Sequence, residues 1–327
     1  MLASALIVIG ASTGGLSPLR QIVAGLSPDM PAAICVVQHI GAHESHLPNL
    51  LDRAGPLAAV AAEDGSLIEA GRIYIAPSDQ HLIVGGGTLH LTRGPRENYA
   101  RPAIDPLFRS AAEIFGRNAI GVILTGKLND GTAGLYEIKR RGGIAVAQDP
   151  DEAESPDMPA SALNHVMVDY ILSASAMPQL FNRLASRLAE TSLPHPGASK
   201  DENMESGFPG QRPVTLTCPE CGGSMRRTEF GTLVKFDCHI GHSLTAESVA
   251  AGQFSELDRG FEAAFRRMNE RRELCRMMIE RAVTDGQQRY AEEWKAALRQ
   301  TEQRSEAVRA LLADSWIQPE MGQPRRP

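Results

Sequence analysis

Three side chains far apart in the chain have the types needed for acyl transfer. Ser12 stands in Gly10-Ala11-Ser12-Thr13-Gly14-Gly15, directly behind the apolar run Ile7-Val8-Ile9. Such a run ending in a glycine-flanked serine reads as a buried strand turning sharply into a helix, the setting of a nucleophile elbow. Taken alone, the same turn also suits a phosphate held at a helix N-terminus. His39 closes a second apolar run, Ile34 to Gln38, and Asp130 lies in Asn129-Asp130-Gly131 behind a third, Ile120 to Thr125. A histidine after a strand is commonly structural, and Asn-Asp-Gly alone makes a good turn and helix cap. Together the three supply a nucleophile, a general base and a carboxylate to orient the base. Their order, Ser then His then Asp, differs from the Ser, acid, His order of α/β-hydrolases.

A second cluster has metal-ligand chemistry. Cys218-Pro219-Glu220-Cys221-Gly222-Gly223 is followed by Cys238-His239-Ile240-Gly241-His242, a C-x2-C-x16-C-x3-H spacing. Alternating residues around Met225–Thr228 and Leu233–Phe236 predict a hairpin that brings the two halves together. Three thiolates and one imidazole suit tetrahedral zinc in a closed structural site, with His242 as fourth ligand and His239 the alternative. A redox role for the CxxC would need a thioredoxin-like βαβ context, which this segment lacks.

The elements that must position these groups alternate. Strands are predicted at Leu6–Gly10, Ile34–Gln38, Ile73–Ala76, Ile120–Thr125, Ile144–Gln148 and Asp169–Leu172. Helices are predicted at Leu16–Leu26, Ser45–Ala54, Asp105–Phe115, Thr132–Arg141, Pro159–Asn164 and Pro178–Glu190. Alternation of this kind predicts an α/β fold with a doubly wound, mostly parallel sheet, and continuous Val/Ile runs fit strands buried on both faces. Leu82 to Leu91, two alternating runs around Gly85-Gly86-Gly87, predicts a hairpin at the sheet's edge. In such sheets, sites form outside the carboxyl ends of the strands, where Ser12, His39 and Asp130 all fall.

The chain resembles the catalytic domain of chemotaxis-type, CheB-like protein-glutamate methylesterases over roughly residues 5–188. The resemblance rests on Gly10–Gly15, Gln38-His39, Tyr74-Ile75-Ala76-Pro77, Arg101-Pro102-x-x-Asp105 and Leu124-Thr125-Gly126-x-x-Asn129-Asp130-Gly131-x-x-Gly134. It implies hydrolysis of γ-glutamyl methyl esters on chemoreceptors, with glutamine deamidation as a further activity, and it places the triad on Ser12, His39 and Asp130. It also implies an oxyanion hole from the backbone N–H groups of Thr13 and Lys127, with Asn129 among the oxyanion or substrate-binding residues. Arg101 either positions a polypeptide substrate or makes a surface salt bridge. No cofactor is expected for catalysis. A methylated chemoreceptor is the implied partner, with a methyltransferase or a separate response regulator added by analogy. Several receiver-less members of the family carry a similar zinc-ribbon-like tail.

Three departures stand out. Lys127-Leu128 replaces the Met-Gly usual before Asn-Asp-Gly. The acidic stretch Asp151 to Asp157 replaces an apolar, glycine-containing one. The catalytic domain begins near residue 5, so regulation is expected without an N-terminal receiver domain on this chain.

Composition sets outer bounds. A chain of 327 residues, 43% hydrophobic with net charge -6, has room for one large core plus smaller units and lacks the basic balance of a general nucleic-acid binder. No apolar run reaches the roughly 20 residues of a membrane span, and the N-terminus lacks a basic signal-peptide region, so a cytoplasmic location is expected. The expected organisation is a catalytic domain at 1–190, a flexible linker at 191–213, the zinc-ribbon-like module at 214–245, a helical hairpin at 246–317 and a frayed tail at 318–327. In the hairpin, Phe254, Leu257, Phe261, Ala264, Met268, Cys275, Met278 and Ala282 repeat at helical spacing, with Arg271 interrupting the row. Tyr290, Trp294, Ala297, Thr301, Val308 and Leu312 repeat likewise. Two functions compete with the esterase: a non-catalytic signalling scaffold, and a small-molecule esterase or amidase.

Overall fold

The computed structural model describes residues 2–39, 45–191 and 213–314, which divide into two compact units, one ending at Val249 and the other beginning at Ala250. Most of the expected linker and the frayed tail lie outside the described residues.

The first unit is built on a seven-stranded parallel sheet. Its strands are β1 (Leu6–Ala11), β2 (Ala33–Gln38), β3 (Ala58–Ala61), β4 (Arg72–Ile75), β7 (Ala119–Ile123), β8 (Ile144–Gln148) and β9 (Tyr170–Leu172), in the order β3-β4-β2-β1-β7-β8-β9. The chain moves outward from β1 through β2 and β4, then returns to place β7 on the other side of β1. That reversal opens a crevice at the carboxyl ends of β1 and its neighbours.

Period-two alternation loads both faces of the sheet. Ile7, Ile9, Ile34, Val36, Ile73, Ile75, Ile120 and Val122 point to one side, against α1 (Leu16–Ala24), α2 (Leu47–Asp52) and α6 (Met177–Thr191). Leu6, Val8, Cys35, Val37 and Ala145 point to the other, against α3 (Ile104–Phe115), α4 (Thr132–Arg140) and α5 (Asp157–His165). Strands with both faces covered need no polar alternation, which is why they read as continuous apolar runs.

The predicted hairpin forms as β5 (His81–Gly85) and β6 (Thr88–Thr92), and its outer strand makes one isolated antiparallel bridge, from Thr88 to Leu67. It is not an edge of the parallel sheet. Leu82, Val84 and Leu89 are buried in the cluster that includes α3, and the Val84 N–H donates to Ser110 Oγ at 3.0 Å. Strand β3, Ala-Ala-Val-Ala, is absent from the predicted set because its small residues carry little strand propensity.

The cysteine-bearing module is a four-stranded antiparallel sheet, β10 (Pro213–Thr217), β11 (Ser224–Phe230), β12 (Leu233–Cys238) and β13 (Ser243–Thr245). The sequence sets it apart behind a linker, yet it shares one compact unit with the parallel sheet. The Phe230 ring meets Tyr136 of α4 edge-on at 6.4 Å, and Thr232 hydrogen-bonds His165 of α5 at 2.8 Å. Its small core of Met225, Leu244 and Val249 also takes up Tyr99 of the α/β domain.

The second unit comprises most of α7 (Ala246–Thr284) together with α8 (Gln288–Ala313). Cys275, Ala282 and Ala291 are buried in the seam between them. Arg271, which interrupts the apolar row, donates from Nε to Thr301 Oγ1 at 3.2 Å. The charged break is thus matched by a hydroxyl on the facing helix. The Arg309 guanidinium lies over the Phe265 ring at 5.5 Å.

Candidate active site and metal centre

Ser12 leaves β1 one residue past its end, and its backbone is held from both flanks. Its N–H donates to the Thr125 carbonyl at 2.9 Å, while its own carbonyl accepts from Gly15 N–H at 3.0 Å and Gln38 Nε2 at 2.6 Å. Thr125 is fully buried and ties three strand ends together. Its hydroxyl donates to Thr13 O at 3.0 Å and accepts from Ser155 N–H at 2.8 Å, and its N–H donates to Gln148 Oε1 at 2.9 Å. Gln38, Thr125 and Gln148 were not among the predicted site residues. The available signal was a polar residue at the carboxyl end of each apolar strand.

The structure brings Ser12, His39 and Asp130 into one hydrogen-bonded chain. Ser12 Oγ lies 3.2 Å from His39 Nδ1, and His39 Nε2 lies 2.8 Å from Asp130 Oδ2. Burial alone would raise the Asp130 carboxyl. The hydrogen bond and charge of His39, the Ile104 N–H and the Asn98 amide outweigh burial and hold it at about 2. An ionised Asp130 places the imidazole proton on Nε2, which leaves the Nδ1 lone pair for the Ser12 hydroxyl. This serine is therefore set up to attack a carbonyl while passing its proton to His39.

Gly126 explains how the two walls of the crevice approach. A Cβ there would run into the Met158 sulfur and lie 2.7 Å from the Ser12 Cβ. The Lys127 backbone is thereby carried next to Ser12. Among the described residues the N–H groups of Thr13 and Lys127 have no hydrogen-bond partner. Gly126→Ala is expected to lower kcat by about 100-fold or more through displacement of this wall, because misplacing reacting groups by about 1 Å costs that much. A steady-state assay against the wild type checks it; unchanged kcat would contradict the close approach.

The two sequence departures meet in the structure. Leu128 adopts φ +63°, a left-handed conformation that strains a β-carbon-bearing residue, at the position where the resembling family has glycine. Its N–H is held by Asp157 Oδ2 at 3.3 Å, from the acidic stretch. That stretch also supplies Glu154, which packs on Gly14 and lines an open cleft of about 800 Å3 beside Ser12, with Arg20, Gln38 and Arg53.

Arg101, read either as a substrate contact or as a salt bridge, and Asn129, read as an oxyanion or substrate-binding residue, both have partners within the protein. Arg101 donates from Nε and Nη2 to Asp79 Oδ1 at 3.0 and 2.7 Å and from Nη1 to the Gly94 carbonyl at 2.9 Å, which ties its guanidinium into a loop. Asn129 is fully buried, with its Nδ2 donating to Glu247 and its Oδ1 accepting from Thr245. It faces the cysteine-bearing module.

These residues now have relatives to be set beside. Residues 7–181, which include Ser12, His39 and Asp130, match the family model described as CheB methylesterase. The chain belongs to the CheB methylesterase family. It is 41% identical over 180 residues to a putative protein-glutamate methylesterase/protein-glutamine glutaminase of Leptospira interrogans, covering 54% of this chain and 93% of that one. A protein-glutamate methylesterase/protein-glutamine glutaminase of Pyrococcus horikoshii is 36% identical over 178 residues, covering 53% of this chain and 48% of the relative. The chain thus spans about half the length of the Pyrococcus relative. The crystal structure of the Thermotoga maritima CheB methylesterase catalytic domain superposes with a TM-score of 0.53 at 37% identity, covering 55% of this chain and 98% of that one. The methylesterase domain is therefore the α/β part of the first unit, and the cysteine-bearing sheet is an addition docked on it.

In that addition, Cys218, Cys221, Cys238 and His242 present ligand atoms that all lie within 4.8 Å of one another. A zinc tetrahedron with Zn–S near 2.3 Å and Zn–N near 2.0–2.1 Å has edges of about 3.8 Å between sulfurs and about 3.6 Å between sulfur and nitrogen. The Sγ atoms of Cys221 and Cys238 are 3.7 Å apart, and His242 Nδ1 is 3.5 Å from Cys238 Sγ and 3.7 Å from Cys218 Sγ. The donor set therefore fits zinc in type and spacing. His239 is outside this group, exposed, with its ring against Gly223. Among the described residues no helix is long and apolar enough to cross a membrane.

Proposed function

We propose that this protein hydrolyses γ-glutamyl methyl esters on chemoreceptor-type signalling proteins and deamidates glutamines on the same substrates, with Ser12 as nucleophile, His39 as general base and Asp130 as its orienting carboxylate. The observation that carries this reading is the Ser12–His39–Asp130 hydrogen-bonded chain within the matched family domain. Ser12 Oγ adds to the ester carbonyl as His39 Nδ1 takes its proton. The tetrahedral oxyanion is met by the N–H groups of Thr13 and Lys127, each worth about 2.7–4 kcal/mol in the transition state. The proton then passes from His39 to departing methanol, and water, activated by the same imidazole, cleaves the glutamyl-serine ester. Arg20 and Arg53 in the adjoining cleft favour a glutamate-rich polypeptide. No cofactor takes part in these steps. A cytoplasmic setting and a methyltransferase working in the opposite sense are parts of the same proposal.

The test is methanol release from a methylated chemoreceptor fragment, measured beside hydrolysis of p-nitrophenyl acetate. Methanol release from the receptor fragment is expected. Hydrolysis of the small ester alone would replace this reading with a small-molecule esterase, and no hydrolysis of either would favour a scaffold.

We further propose that Cys218, Cys221, Cys238 and His242 hold one structural zinc. Bound there, zinc would cross-link the β-sheet module and supply no open coordination position. Zinc content should be one per chain. Of the five cysteines, Cys35 and Cys275 are fully buried elsewhere. Chelation should therefore release the metal and make three thiols reactive under conditions that leave the parallel-sheet domain folded. A protein purified without metal, with these thiols already reactive and its module ordered, would refute the assignment.

A further inference from the structure

We infer that the cysteine–histidine module is a positioning element of the esterase site, acting on Asp130 through Asn98 and Asn129. The inference rests on the esterase reading above and extends it to residues more than 100 positions away in sequence.

The contacts form a continuous buried path. Asn98 Nδ2 donates to Asp130 Oδ1 at 3.0 Å and to Asp105 Oδ2 at 3.3 Å. The other end of that amide belongs to the module: Oδ1 accepts from Thr245 N–H at 3.1 Å and from the Ser248 hydroxyl at 3.4 Å. The Asn98 N–H donates to the Ser243 carbonyl at 2.9 Å, which helps hold this residue at φ +48°. Asn129, the residue before Asp130, accepts from Thr245 Oγ1 at 2.7 Å and donates to Glu247 Oε2 at 2.7 Å. Asn98, Asn129, Asp130, Thr245 and Ser248 are all buried, so water does not substitute for a lost partner without rearrangement.

Charge follows the same path. Lys235 of β12 is 2% exposed and donates to Asp105 Oδ2 at 3.0 Å, with Glu97 Oε2 at 3.5 Å. Glu97 is also paired with Arg109 at 2.6 Å. The carboxylates of Glu97 and Asp105 thus draw on Arg109 and Lys235, and the Asn98 amide links Asp105 to Asp130. The α/β domain supplies only one of these two cations, and the module supplies the other. Removing one member of a buried pair leaves an uncompensated charge.

The metal ligands close the segment that makes these contacts. Cys238 ends β12, which carries Lys235, and His242 immediately precedes β13, which carries Thr245. Lys235 and Thr245 are directly paired across the two strands. Joining Cys238 to His242 therefore fixes the hairpin whose far end holds both groups that reach the esterase. A module docked only for stability would not need to bond both Asn98 and Asn129, the two asparagines that bracket the orienting carboxylate.

Two readouts test this. Thr245→Val keeps the backbone bond to Asn98 and the side-chain shape but removes the hydroxyl's bonds to Asn129 and to Ser248. It is expected to lower kcat about tenfold with KM little changed, and Thr245→Ser is expected to restore activity to within about twofold of wild type. Independently of substrate, the low-field proton NMR signal of the His39 Nε2–H···Asp130 bond should weaken or shift in Thr245→Val and in chelated protein, and persist in Thr245→Ser. Thr245→Val with wild-type kcat and an unchanged signal would overturn the inference. So would chelated protein with three reactive thiols and an unchanged signal. If the wild type hydrolyses no methyl ester while the signal responds to Thr245→Val, the positioning stands and the esterase reading falls.

Discussion

Ser12→Ala is expected to lower kcat for methyl ester hydrolysis by about six orders of magnitude while leaving the protein folded. The size follows from the role: without Oγ there is no bond to form with the carbonyl carbon, and His39 has no hydroxyl to deprotonate. The fold survives because the contacts that position residue 12 are made by its backbone, to Thr125, Gly15 and Gln38. Only the 3.2 Å contact to His39 is made by the side chain. Single-turnover methanol release checks the rate, and circular dichroism with thermal melting checks the fold. A variant that retains even a tenth of wild-type activity would remove Ser12 from the mechanism.

Asp130→Asn is expected to cost about 10⁴-fold in kcat, the effect of presenting the base in the wrong tautomer. Asp130 is an acceptor on every side. Its Oδ2 receives His39 Nε2 at 2.8 Å and Ile104 N–H at 2.7 Å, and its Oδ1 receives the N–H groups of Gly131 at 3.0 Å and Asp105 at 3.3 Å as well as Asn98. An asparagine must put its NH2 on one of these two positions, and a donor then faces donors. If the NH2 takes the Oδ2 place, His39 turns its lone pair inward and offers Ser12 a proton instead of a base. If it takes the Oδ1 place, it faces two backbone N–H groups and Asn98. The same accounting gives a pH signature. The folded-state pKa, about 2, lies below the ordinary value of 3.8. Ionised Asp130 therefore stabilises the fold above the ordinary aspartate range, and that contribution is lost as pH falls from about 4 towards 2. Thermal melts across that window should show wild type losing stability that Asp130→Asn lacks throughout. Parallel curves for the two proteins would contradict the assignment of the shift.

The legible parts of the sequence were those whose signal is local. Continuous Ile/Val runs marked the buried strands because both faces of a parallel sheet are covered. Ser12, His39 and Asp130 were legible as a set because each follows such a run, and parallel strands bring their carboxyl ends to one edge. The C-x2-C and C-x3-H pairs were legible because metal geometry demands short, fixed ligand spacing. The hairpin at residues 81–92 was legible as a hairpin but not by its place, since pairing with the sheet or with itself leaves the same alternation.

What escaped the sequence depended on partners brought together from far away. Asn129 reads there as a loop residue beside the substrate, and its amide is in fact engaged by Thr245 and Glu247. Arg101 reads equally as a substrate contact, and Asp79 holds it. Lys235 drew no reading from the sequence, and it is buried against Asp105. By itself the sequence determined the chemistry available: a serine, a histidine and a carboxylate at strand ends, and a cluster of three cysteines and a histidine that could hold a metal. Only the tertiary structure decided that the cysteine-bearing module contacts the asparagines on either side of Asp130. The physical reason is that a buried carboxylate must be matched by donors and charge from whatever packs against it, and what packs here is a sheet whose Lys235 lies 130 residues beyond Asp105.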